Sequence, residues 1–151
     1  MTSPTDLYNE FYKASWANPP SSIIEANKAY LSEDFQNLDK DGNMLMDKEA
    51  YINSGGVLYA AFKDFKWVIS NLREEGDSVI VTGHFEGIHV ADLDLSAFGA
   101  GIVPASGKAI VWPEVSSKFT FKGGKLVRIM NLDVTGMGWF LKPLGVELPT
   151  T

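Results

Sequence analysis

The chain has 151 residues, 45% of them apolar and 21% charged, with a net charge of −6, which fits a single soluble globular domain. An acidic balance with no basic cluster argues against nucleic acid or an anionic membrane as partner. The absence of cysteine excludes disulfides, thiolate catalysis and cysteine-held zinc.

No apolar run approaches the ~20 residues of a membrane span. Met1-Thr2-Ser3-Pro4 lacks the basic and apolar pattern of a secretory leader, so a cytoplasmic location is the default expectation. The 18 aromatics (Trp 4, Tyr 5, Phe 9) suit a large core or an aromatic-lined cavity.

Leu7, Tyr8, Phe11, Tyr12 and Trp16 recur at helical spacing after Thr5-Asp6, and Asn18-Pro19-Pro20 ends that helix. Ser21 or Ser22 opens a second helix whose buried stripe is Ile23, Ala26, Ala29 and Tyr30. Phe35 to Leu38 and Met44 to Met46 read as short strands about the turn Asp39-Lys40-Asp41-Gly42-Asn43. Asp47 caps a third helix running from Lys48 to about Phe62.

From Phe65 the period becomes two. Phe65, Trp67 and Ile69 alternate with Lys66, Val68 and Ser70. Long strands are expected over Val79 to Val90, Lys108 to Phe121 and Lys125 to Thr135, with a tight hairpin at Lys122-Gly123-Gly124. Asp92 to Gly101 reads as an irregular loop, and Met137 to Lys142 as a short closing helix stopped by Pro143.

Helices first and an antiparallel meander after them make an α+β layout, with the helices on one face of a strongly curved sheet. Such a sheet closes into a cone whose open end is a pocket. The segments Gly87-Ile88-His89, Pro104-Ala105-Ser106-Gly107-Lys108, Phe119, Gly123-Gly124-Lys125-Leu126-Val127, Asp133 and Leu144-Gly145 occur in that order. Asp34-Phe35, the hairpin at Asp41-Gly42 and Lys48-Glu49-Ala50 precede them.

In these segments the chain resembles the SnoaL-like polyketide cyclases, a branch of the fold shared by nuclear transport factor 2 and ketosteroid isomerase. The resemblance implies an NTF2-like cone spanning residues 1–151. It also implies metal-free, cofactor-free acid/base chemistry, an aldol-type ring closure on an apolar carbonyl compound. Asp133 would move the proton and His89 would polarise the carbonyl. The chain departs from the family pattern at Ile88, at Ala91, in the longer Ala91 to Ala100 connection, and in the one-residue offset of Asp133.

Strand alternation places Val127, Ile129, Asn131 and Asp133 on one face, with Asp133 expected at the cone mouth. Leu126, Arg128, Met130, Leu132 and Val134 share the other. That second face is apolar enough to imply a homodimer through the outer sheet face. His89 falls in register with Val79, Val81, Gly83, Phe85 and Gly87, and His84 with the opposite set. Trp67, Phe85, Trp112, Asn131 and Trp139 are expected pocket walls, and Glu114 a second carboxylate on the face of Trp112. The plain structural alternatives are a turn or helix cap for Asp133, a backbone-satisfied core histidine for His89, ordinary core for the tryptophans and a surface salt bridge for Glu114.

A calcium loop fails in both registers. Starting at Asn37 puts Lys48 at the last position, and starting at Asp39 puts Met44 at the glycine position. No phosphate loop or serine elbow is present. A small apolar ligand or substrate is the expected partner. The rival readings are a non-catalytic binding module, an isomerase or epoxide hydrolase of the same fold, and a dimeric scaffold.

Overall fold

The computed structural model describes residues 3–18, 21–96, 101–136 and 138–145. Pro19, Pro20, Met137 and residues 97–100 of the expected loop lie outside this set. Four helices pack on a strongly curled mixed sheet that forms a half-barrel, the expected α+β cone.

Helix α1 (Pro4–Ser15) starts one residue before the expected Thr5-Asp6. The Ser3 hydroxyl accepts the Asp6 N–H at 3.1 Å, and Pro4 occupies the first turn, where no N–H is needed. Helix α2 (Ser21–Tyr30) follows, then strands β1 (Leu31–Leu38) and β2 (Met44–Asp47). Asp47 caps helix α3 (Lys48–Ala61), accepting the Ala50 N–H at 2.9 Å as expected. Strands β3 (Phe62–Glu75) and β4 (Ser78–His89) form a long antiparallel pair. Strands β5 (Leu93–Asp94) and β6 (Ile102–Val103) make a separate small hairpin inside the segment expected to be irregular.

The expected third long strand is two pieces, β7 (Ala109–Val111) and β8 (Val115–Lys122), broken at Trp112-Pro113-Glu114. Proline cannot donate to the ladder. Strand β9 (Lys125–Asn131) ends four residues short of Thr135. Helix α4 (Gly138–Leu141) runs into a 3-10 turn, Lys142–Leu144, so Pro143 sits inside that turn instead of stopping the chain before it. The main sheet runs β2-β1-β9-β8-β4-β3, with β7 beside β4. β1 and β9 are its parallel pair.

A β-bulge decides the facing of β9. Thr120 pairs with Arg128 and Phe121 with Leu126, which leaves Val127 as the extra residue. Leu126 is therefore turned into the core with Ile129 and Asn131, and is fully buried. This corrects the expectation that Leu126 belongs to an apolar outer face. That face carries an exposed Arg128, the Thr82–Ser116 hydroxyl pair at 2.8 Å and the Lys118–Glu75 ion pair at 3.3 Å. Its chemistry is mixed, which removes the apolar ground for expecting a dimer there.

The turn read as a rejected calcium loop is a structural staple. The buried Asp39 carboxylate accepts N–H groups from Asp41 and Asn43, each at 3.0 Å, and from Gly136 at 3.1 Å. Burial pushes this carboxyl up, but the bonds from the N–H groups of Asn43, Gly136 and Asp41 outweigh that and hold it below the usual carboxylate value. The staple ties the β1–β2 hairpin to the segment that leads into α4.

Candidate ligand-binding site

The inner faces of β1, β3, β4, β8 and β9 and the apolar stripes of α1, α2 and α3 do not meet in the middle. They surround a cavity of about 210 Å3, which Trp139, Phe140 and Leu141 of α4 also line. It is somewhat larger than the ~150 Å3 engineered cavity known to take up benzene. The alternation of β4 is as expected. Val79, Val81, Gly83 and Gly87 are buried, while His84 is half-exposed beside Glu86 at 3.6 Å.

Of the expected wall residues, Trp67, Phe85, Asn131 and Trp139 line the cavity. Trp112 and Glu114 do not. Trp112 is buried one layer behind. Its ring stacks on Phe140 at 4.9 Å, and its indole N–H donates to the Phe140 carbonyl at 2.7 Å. Glu114 lies within the strand break, is exposed, and accepts the Ser70 hydroxyl at 2.8 Å.

The structure does not bring Asp133 and His89 together at the cavity, and neither lines it. β9 ends at Asn131, so alternation no longer governs Asp133. Its exposed carboxylate accepts the Ser116 N–H at 2.7 Å. His89 keeps its inward parity but enters the second core cluster. There it stacks on Phe62 at 4.9 Å, and its buried Nε2 has no partner among the described residues.

The polar groups that do face the cavity are hydroxyls and amides, and most are spent on the protein. Tyr12 donates to the Trp67 carbonyl at 3.0 Å and Tyr59 to the Phe65 carbonyl at 2.9 Å. Ser15 and Ser54 donate to helix carbonyls, at 2.8 and 2.7 Å. Ser117 donates to the Asn131 Oδ1 at 3.2 Å. The Asn131 Nδ2 in turn donates to the Leu38 carbonyl at 3.1 Å and the Asn37 Oδ1 at 3.5 Å.

Several groups remain uncommitted among the described residues, one of them the buried indole N–H of Trp139. Tyr8 accepts the Trp67 indole N–H at 3.3 Å, which leaves its own proton free. Tyr51 makes no side-chain hydrogen bond, although it lies in the wall and its ring packs on Phe35 at 5.2 Å. The Asn37 Nδ2 and the whole side chain of the buried Asn27 also lack partners.

Burial pushes the Tyr51 hydroxyl up to about 12. Tyr8 is raised further, by burial and by its neighbours Tyr51 and Tyr12, against the Trp67 hydrogen bond. Both are neutral donors at any ordinary pH. No Asp, Glu, His, Lys or Arg lines the cavity among the described residues. Nor do three His, Asp or Glu side chains among the described residues come together so as to hold a metal ion.

Local patterns carry part of this set. Asn27 interrupts the apolar stripe of α2 four residues after Ile23, Asn37 shares a strand face with Phe35, and Ser117 shares one with Val115 and Phe119. Tyr51 sits in a helix of low amphipathicity that gives no such signal.

The sequence model of the SnoaL-like domain family matches residues 9–129. The chain belongs to the SnoaL-like domain family. Solved structures similar to this SnoaL-like domain include AclR from Streptomyces galilaeus, assigned as a hydroxylase, at 21% identity, 97% coverage of both chains and a TM-score of 0.69. A protein from Jannaschia sp. CCS1 assigned as a SnoaL-like polyketide cyclase is similar at 19% identity, covering 85% of this chain and 83% of that one, with a TM-score of 0.65. An NTF2-like protein from Burkholderia thailandensis E264 is similar at 16% identity, over 87% and 90% of the two chains, with a TM-score of 0.61. At these identities the likeness carries the fold and no particular activity. No curated protein matches this chain. No described helix is long and apolar enough to cross a membrane.

Proposed function

We propose that this protein binds a compact, neutral, largely apolar carbonyl compound in the cone, and that the hydroxyls of Tyr8 and Tyr51 engage its carbonyl oxygen. One observation carries the reading: the described wall holds no ionised side chain, and its uncommitted groups are mainly hydrogen-bond donors. A charged ligand would lose its hydration here and gain no counter-charge. A carbonyl oxygen needs only donors, and a donor held in an apolar wall without reorganisation favours charge that builds on that oxygen.

The reaction we propose is the aldol-type ring closure of the SnoaL-like cyclases, on a substrate whose acidic carbon is already delocalised as an enol. Positioning and two neutral donors then supply what the cavity can offer. In this form Asp133 and His89 are not the proton-moving and carbonyl-polarising groups. The absence of an ionised base from the described wall favours one second reading, a carrier that binds the same ligand and does not turn it over.

The test is calorimetric titration with ring ketones, matched hydrocarbons and matched carboxylic acids. The expected order is ketone tighter than hydrocarbon and carboxylate weakest, with the ketone advantage lost in Tyr51→Phe and Tyr8→Phe and kept in Asp133→Asn. Tighter binding of the carboxylate, or loss of the ketone advantage in Asp133→Asn, would overturn it. Product analysis on an enolisable polyketone separates the cyclase from the carrier.

A further inference from the structure

The two hydroxyls proposed to hold the ligand lie together in one part of the wall. Tyr8 and Tyr51 belong to the core cluster around Phe35, Phe119 and Ile129. Leu95, Phe65, Phe140 and Leu141 belong to a second cluster built on Phe62 and Trp112, and Trp139, whose indole N–H has no partner among the described residues, borders both. A carbonyl compound held by the tyrosines therefore points its hydrocarbon part at the second cluster, whose residues decide how much fits.

One of those residues arrives from an unusual place. Among the described residues between Phe85 and Val115, Leu95 alone lines the cavity. It directly follows β5, and several bonds and buried side chains tie down the described part of the hairpin that carries it. Leu93 and Val103 pair across β5 and β6 and are buried. The Leu95 N–H donates to the Gly101 carbonyl at 2.7 Å, and the Gly107 N–H donates to the His89 carbonyl at 2.8 Å. The Asp92 carboxylate accepts the Ala105 N–H at 3.0 Å. Leu95 itself is 4% exposed. The side chain is thus buried in the wall on a hairpin outside the main sheet, where it can be changed without breaking a strand of the cone.

We infer that Leu95 is the specificity-determining stop of the cavity, setting the length of the apolar part of the ligand. This rests on the cavity being the ligand site as proposed above. A branched side chain fixed in a close-packed wall discriminates by steric exclusion, because interiors of this density do not yield smoothly to an extra methylene.

The experiment uses two parallel series on the full chain, n-alkylbenzenes and n-alkyl phenyl ketones of increasing chain length, titrated calorimetrically. The wild type is expected to show a break, a loss of at least about tenfold in affinity on adding one or two methylenes, the size of a steric penalty of about 1.4 kcal/mol or more. Leu95→Ala is expected to move that break to longer chains by two or more carbons in both series. Leu95→Val, a milder truncation that guards against failure to fold, is expected to move it less in the same direction. No break in the wild type, a break unmoved in both variants, or an equal loss at every chain length would overturn the assignment. The hydrocarbon series decides on Leu95 alone. The advantage of ketone over hydrocarbon at equal length decides on the carbonyl reading, so the two can fail separately.

Discussion

Tyr51 and Asp133 show how the setting of one polar side chain fixes what it can do. The Tyr51 hydroxyl is in the cavity wall with no protein partner among the described residues, so a ligand oxygen is the partner left for it. Deleting a neutral hydrogen bond of this kind costs about 1–1.5 kcal/mol. Tyr51→Phe is therefore expected to weaken ring-ketone binding about tenfold and leave the thermal midpoint close to wild type, as calorimetry and a melting curve will read. Asp133 spends its carboxylate on the Ser116 N–H at the surface, which asparagine can also do. Asp133→Asn is expected to leave ketone affinity unchanged. His89 is an imidazole stacked on Phe62 with Nε2 unpaired. An unmet buried donor or acceptor costs free energy, so removing it offsets much of the packing lost on substitution. His89→Leu is expected to stay within about 1 kcal/mol of wild-type stability by denaturant titration, with ligand affinity unchanged.

At the scale of elements, the sheet holds the wall by leaving things out as much as by putting them in. Gly83 sits on the inner face of β4, where a Cβ would collide with the Val68 carbonyl oxygen and meet the Trp67 ring at 2.9 Å. The missing side chain is what lets the Trp67 indole lie across the strand and reach the Tyr8 hydroxyl. Because the nearest obstacle is backbone, the strand itself must shift to accept a methyl group. Gly83→Ala is expected to cost about 1–3 kcal/mol of stability by denaturant titration and to blue- or red-shift Trp67 emission. A change confined to stability would show that Trp67 keeps its place. The bulge at Val127 does the complementary work on β9, turning Leu126 and Asn131 to the same interior although they are five positions apart.

For the whole molecule, the buried tyrosines make the alkaline limb of stability informative. Tyr51 is raised to about 12 in the fold from its ordinary 10.0, and Tyr59 likewise, in both cases by burial. An acid whose folded pKa is raised contributes stability that is fully present below its unfolded value. It is lost as pH rises through the folded one, because the unfolded chain releases its proton first. Native protein is therefore expected to hold part of its tyrosine absorbance un-ionised between pH 10 and 12, and unfolding is expected to release it in one step. Smooth titration of all five tyrosines near their ordinary value, with no link to unfolding, would contradict this burial. A ligand filling the cavity should push the transition to still higher pH, since it binds only the folded state.

Period and punctuation in the sequence determined the helix-then-sheet order, the Asp47 cap, the inward parity of His89 and the family. These are local or pattern-level properties, set by side-chain spacing, capping chemistry and turn residues within a few positions. Of the six expected wall residues, Trp67, Phe85 and Asn131 line the cavity on faces that alternation gave, and Trp139 lines it from the closing helix. What only the tertiary structure decided is where alternation stops. Pro113 breaks a strand and sends Glu114 to the surface, and β9 ends at Asn131, so Asp133 turns back to Ser116. Tyr51 and Leu95 become wall residues because α3 and a separate hairpin dock against the cone from distant parts of the chain. Those placements depend on long-range packing, to which no spacing within a segment responds.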